Sequence, residues 1–81
     1  MDWYWVVYKR KLGGKWYVFR RGYNERDYKD LVLKLAEKGK IKILEVYVGD
    51  INQIIQLAIL RDLNLYNKHA KEILEKMKRI K

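Results

Sequence analysis

Two runs of bulky apolar residues dominate the start of the chain. Trp3-Tyr4-Trp5-Val6-Val7-Tyr8 and Trp16-Tyr17-Val18-Phe19 flank Gly13-Gly14, and a glycine pair can take positive φ at both centres of a two-residue turn. The pattern predicts an antiparallel hairpin over about residues 3–21 that pairs Leu12 with Lys15, Arg10 with Tyr17 and Tyr8 with Phe19. One face then carries Tyr4, Val6, Tyr8, Arg10, Tyr17, Phe19 and Arg21. The other carries Trp3, Trp5, Val7, Lys9, Lys11, Trp16, Val18 and Arg20. Both faces are apolar at the base and basic toward the tip, so both need a covering layer. The chain's own helices are expected on one of them, which leaves the other to a ligand or partner.

After the hairpin the apolar period changes from two to about 3.6. Asn24 is a good N-cap, Glu25 and Asp27 suit the positive helix start, and Tyr28, Leu31, Val32 and Leu35 recur at helical spacing. Gly39 fits the stop after Lys38. Lys40 to Val48 is β-branched and partly alternating, which predicts a strand. Asp50 and Gln53 then form a capping pair for a helical stretch over residues 51–80. That stretch has two readings. Ile59, Leu63, Tyr66, Ala70, Ile73, Met77 and Ile80 alternate by four and three, as one long helix with a coiled-coil tail requires. A break near Asp62-Leu63-Asn64-Leu65 is slightly favoured, because Asn64 tolerates a left-handed conformation. The expected class is α+β, order ββαβα: a three-stranded sheet with an N-terminal hairpin and helices packed on one face, one domain over residues 1–81.

Composition narrows the chemistry. The 81 residues include no Cys, Ser or Thr and a single histidine, His69. Disulfides, thiolate and hydroxyl nucleophiles, zinc fingers and phosphate loops with their Ser/Thr are therefore excluded by inventory. An enzyme is not expected, nor a cofactor or metal. No segment is apolar enough to span a bilayer and the N-terminus lacks a signal-peptide layout, so the expectation is an intracellular, cytoplasmic protein without membrane contact. Abundant Lys, Ile and Glu with few Asn and Gln resembles the composition of small proteins from hyperthermophilic archaea or their viruses; an AT-rich genome enriches Lys, Ile and Tyr as well. A viral origin implies the host cytoplasm.

Charge carries the functional reading. The net charge of +9 is uneven: residues 1–24 hold +5, residues 25–67 balance, and residues 68–81 hold +4. Between Trp3 and Asn24 there are six cations, eight aromatics and no carboxylate. A basic ribbon with aromatic faces suits a polyanion with exposed bases. The expected nucleic-acid-binding residues are Lys9, Arg10, Lys11, Lys15, Trp16, Arg20 and Arg21 on the hairpin, with Lys68, Lys71, Lys78 and Arg79 on a basic C-terminal helix. The expected ligand is DNA ahead of RNA, with weak sequence preference, and the expected assembly is a homodimer. The alternative is a self-associating or inhibitor-like interaction module that applies its aromatic sheet face to an acidic partner protein.

Two resemblances touch this reading. Residues 59–74 resemble a helix-turn-helix, with Ile59, Leu63, Leu65, Ala70 and Ile73 at packing positions and Asn64 at the turn. The resemblance implies that Tyr66, Asn67, Lys68 and Lys71 face a groove. It departs at Leu60, where a small residue is usual. The ββαβα order, with Tyr8, Tyr17 and Arg26, is similar to the core of GIY-YIG endonucleases over about residues 5–67. Here Val6 and Phe19 replace the motif glycines, and the last helix offers Gln53 and Gln56 where that family needs a metal-binding Glu. A glutamine cannot supply the anionic oxygen that Mg²⁺ prefers, so the resemblance does not imply cleavage.

Overall fold

The computed structural model describes residues 1–36 and 38–81. Strands β1 (Trp3–Leu12) and β2 (Lys15–Asn24) form the hairpin. Gly13 and Gly14 take φ of 57° and 82°, as a tight turn matched to strand twist requires. Leu12 faces Lys15, Arg10 faces Tyr17 and Tyr8 faces Phe19, and the ladder continues past the expected end to the pair Trp3–Asn24. On its other side β1 pairs antiparallel with β3 (Ile41–Gly49), with a bulge after Val7 that leaves Leu44 outside the register.

Asn24 caps α1 (Glu25–Asp30): its side-chain oxygen accepts the Asp27 amide at 2.8 Å. The chain continues as a π-helical segment, Leu31–Ala36. The expected run of this helix to Lys38 includes Glu37, which lies outside the described residues. Asp50 and Gln53 close a full capping box, each side chain 3.0 Å from the other's amide nitrogen, at the start of α2 (Ile51–Asp62). Asn64, at φ 58°, turns the chain into α3 (Tyr66–Glu75). Residues 51–75 therefore form two helices, broken at Asn64, the residue whose tolerance of a left-handed conformation favoured a break there.

Three expectations need correction. First, the sheet has four strands in the order β2-β1-β3-β4, because Lys78–Arg79 adds a short β4 beside Tyr47 and Val48. Met77, buried beside Ala70 and Tyr47, pulls the chain off the helical path, and the Ile80 amide donates to the Val46 carbonyl at 2.9 Å. Two residues of strand carry no periodicity of their own. Second, the described residues leave no overhanging tail to form a coiled coil, since Met77 belongs to the core. Third, helices cover both faces of the sheet rather than one. Val6 and Tyr8 pack with Leu31, Ile41 and Val46 under the first helical layer, where the Tyr4 and Tyr28 rings stack at 4.4 Å. Trp5, Val7 and Tyr47 pack with Ile54, Leu57, Ala70 and Met77 under α2 and α3. Burying an indole of roughly 200 Å² contributes about 5 kcal/mol before entropy is counted. With apolar residues on both sides of β1, a single helical layer would leave one of these two clusters open to water.

The close seat of α2 depends on Gly22. A Cβ on Gly22 would overlap Cγ2 of Ile54, with the Trp5 ring behind it.

Candidate nucleic-acid interface

Helical cover ends part-way along the hairpin. At its base Trp5 is 0 % exposed, its Nε1 donates to the Tyr66 hydroxyl at 3.0 Å, and the two rings stack with centroids 6.0 Å apart. Trp3 packs against the same cluster. Toward the tip, Trp16, Tyr17 and Val18 emerge, Trp16 at 38 % exposure. Of the three tryptophans, Trp5 is buried, Trp3 is partly covered and Trp16 is the most exposed.

Strand register assembles the basic surface around it. Lys11 pairs with Trp16, Lys9 pairs with Val18, and on the other side Lys9 pairs with Lys42 of β3. Paired residues share a face, so Lys9, Lys11, Trp16, Val18 and Lys42 form one exposed patch. Lys42 Nζ lies 5.2 Å from the centroid of the Trp16 ring, a cation–π distance. The Lys11 amide also donates to the Lys40 carbonyl at 3.1 Å, which brings a further exposed lysine to the edge. Lys40 and Lys42 were not among the expected site residues. Their alternation in Lys40-Ile41-Lys42 was visible, but only the β1–β3 register shows that they land beside Lys9 and Trp16.

The expected residues thus divide by face. Lys9, Lys11 and Trp16 belong to the patch, and Lys15 is exposed at the turn. Arg10 and Arg21 are on the opposite face, where they line a cavity of about 350 Å³ with Asp27, Asp30 and Lys34. Two carboxylates therefore share their surroundings. Arg20 lies over the Tyr66 ring at 4.8 Å, and its carbonyl accepts from Arg61 Nη1 at 2.6 Å. Arg61 in turn lies over Trp5 at 5.8 Å. Arg20 and Arg61 thus fasten β2 to the helical layer. Among the described residues the ion pairs are Lys29–Glu25, Lys34–Asp30 and Arg61–Asp62. None involves a hairpin cation.

The C-terminal cations are also split. Lys68 and Lys71 are exposed on α3, whereas Lys78 and Arg79 are on β4 and not on the expected helix. Arg79 lies over Tyr47 at 5.7 Å and lines, with Lys71, Tyr66 and Glu75, a cleft of about 460 Å³. Of the groove-facing set implied by the helix-turn-helix resemblance, Asn67, Lys68 and Lys71 are exposed and Tyr66 is taken up by Trp5 and Arg20. Ile59 and Leu63, expected between the helices, are exposed at 52 % and 62 %. The GIY-YIG-like residues do not converge. Tyr8 lines the cavity of Arg10, Arg26 lines a different one, and Gln53 and Gln56 are on α2 across the sheet.

Three partly buried tyrosine hydroxyls hold their protons more tightly than a free phenol. Burial, then a hydrogen bond to Glu45, raises the Tyr47 pKa to about 12, against the opposing pull of Arg79. Burial and the Tyr8 hydroxyl raise Tyr23. Burial also raises Tyr66, partly offset by the Trp5 hydrogen bond and Arg20. All three hold their protons at neutral pH. Among the described residues no three of His, Asp and Glu gather to hold a metal, and no helix is long and apolar enough to cross a membrane.

No family model, curated protein or solved structure matches this chain.

Proposed function

We propose that this protein binds nucleic acid without catalysis, through the exposed end of its hairpin. One observation carries the reading: Lys9, Lys11 and Lys42 surround the exposed Trp16 ring on one face, and none is in an ion pair among the described residues. Lysines supply phosphate contacts, each of which steepens the fall of affinity with salt. The Trp16 ring supplies a stacking platform worth roughly 1–3 kcal/mol for one unpaired base. Lys15 and Arg20 border this patch, Arg10 and Arg21 lie on the opposite face of the same hairpin, and Lys68 and Lys71 on α3 are outlying contacts. Cations that meet phosphates without reading base edges give weak sequence preference. DNA is the proposed ligand ahead of RNA.

Tryptophan emission tests the proposal directly. Trp5 is sealed in the core, so quenching by a single-stranded oligonucleotide at low salt should come mainly from Trp16 and reverse as salt is added. Trp16→Phe should remove most of the signal. Absence of quenching in low salt, with no mobility shift, would exclude the hairpin as a nucleic-acid surface. The competing reading, an aromatic sheet face applied to an acidic protein, has little surface to work with, because the aromatic base is covered on both sides.

A further inference from the structure

The outer side of α2 is chemically unlike the rest of this molecule. In a chain with 36 % charged residues, Ile51 to Leu60 contains none. Ile51, Ile55, Ile59 and Leu63 recur every four residues and are 44, 49, 52 and 62 % exposed. They form a continuous ridge, while Ile54 and Leu57 of the same helix face the core. Half-exposed side chains of this size leave an apolar strip of roughly 300–400 Å², the size of the largest patch on an ordinary monomer, which is often functional. Beside it a groove of about 370 Å³ runs between α2 and α3, lined by Gln56, Ile59, Leu60, His69, Glu72 and Ile73.

We infer that this ridge is the contact between two copies of the chain, packed α2 against α2 about a two-fold axis near Ile55 and Ile59. Charge selects the occupant. Each copy carries +9, so two copies meet at least cost where neither presents a cation, and the outer side of α2 is such a place. An acidic partner or an anionic lipid surface would instead call for lysines along the ridge. The polar residues there are Asn52 and Gln56. An amide both donates and accepts, so it can pair with its own symmetry mate, as a lysine cannot. Ridges of four-residue spacing interdigitate at a crossing angle of about −50°. Two such strips amount to about 600–800 Å², below the roughly 1,200 Å² at which stable interfaces begin, so the contact is a weak, transient one.

The inference is independent of nucleic-acid binding, because the ridge shares no residue with the Trp16 patch. Sedimentation of the full chain from micromolar to millimolar concentration should show a monomer–dimer equilibrium. Ile55→Lys with Ile59→Lys should weaken association at least tenfold while circular dichroism and the thermal midpoint stay close to the parent. The natural chain has no cysteine, so Ile59→Cys should cross-link under mild oxidation, and Lys34→Cys on the opposite layer should not. A parent that stays monomeric at millimolar concentration overturns the inference. So does a dimer that survives the double lysine variant, or that cross-links through position 34 and not 59. Oligonucleotide quenching of Trp16 in the monomeric variant separates failure here from failure of the nucleic-acid reading.

Discussion

Lys42 sits within cation–π distance of Trp16 without being its neighbour in sequence or its strand partner. This one residue shows how the candidate patch is made: β1 carries two of the lysines, β2 the ring and β3 the third lysine. Reversing Lys9, Lys11 and Lys42 to Glu should leave the fold intact, since Lys9, Lys11 and Lys42 are exposed. It should lower low-salt affinity for oligonucleotide more than tenfold and reduce the salt slope by about three, one for each lost phosphate contact. A fluorescence titration at several salt concentrations measures both. Reversing Arg10 and Arg21, which share a cavity with Asp27 and Asp30, should cost less. The Gly22–Ile54 contact is a second residue-scale constraint. Gly22→Ala should destabilise by about 1–3 kcal/mol in chemical denaturation, and the double variant with Ile54→Ala should lose less than the sum of the two single losses, because the smaller side chain makes room for the added methyl. An additive double variant would remove close packing as the cause.

At the scale of elements, caps and turns decide where helices begin and end. The Asp50–Gln53 box satisfies two amides at the start of α2, and Asp50→Ala should lower stability by about 1 kcal/mol. Asn64 holds positive φ between α2 and α3. Asn64→Gly should be close to neutral, whereas Asn64→Ala should cost about 1 kcal/mol by forcing a side chain without local hydrogen bonding into the left-handed region. Thermal melts of these three variants check the ordering. Both features were legible in the chain, because a cap or a left-handed turn is a local matter of side-chain chemistry. The hairpin register was legible for the same reason: Gly13-Gly14 closes a two-residue loop, and every pair down to Trp3–Asn24 follows. Strand β4 was not legible, because its cause is the distant seat of Met77 and not the pattern of Lys78 and Arg79.

For the whole molecule, the two core layers hold hydroxyls that must stay protonated. Tyr47 keeps its proton to about pH 12 when folded, whereas an unburied tyrosine loses it near 10.0. Its contribution to stability is therefore complete below about pH 10 and is lost as pH rises from there through about 12, since the unfolded chain ionises first. Tyr23, also raised, acts in the same direction. Denaturant midpoints measured from about pH 8 to 12 should fall at the alkaline end, and Tyr47→Phe should flatten part of that fall. An unchanged slope in the variant would place the alkaline sensitivity elsewhere.

The amino-acid sequence by itself determined the α+β class, the hairpin and its register, the starts of α1 and α2 and the concentration of cations at the two ends, and it marked Asn64 as the place for a break while leaving one helix or two open. These follow from backbone preference, periodicity and charge, all of which act between near neighbours. Tertiary structure alone decided which aromatic rings remain free, that Lys42 joins the hairpin lysines, that both sheet faces are covered and that the isoleucines of α2 point outward. An apolar residue carries the same signal whether it meets its own core or another molecule. The difference lies in how the helices are placed across the sheet, and that placement is set by contacts far apart along the chain.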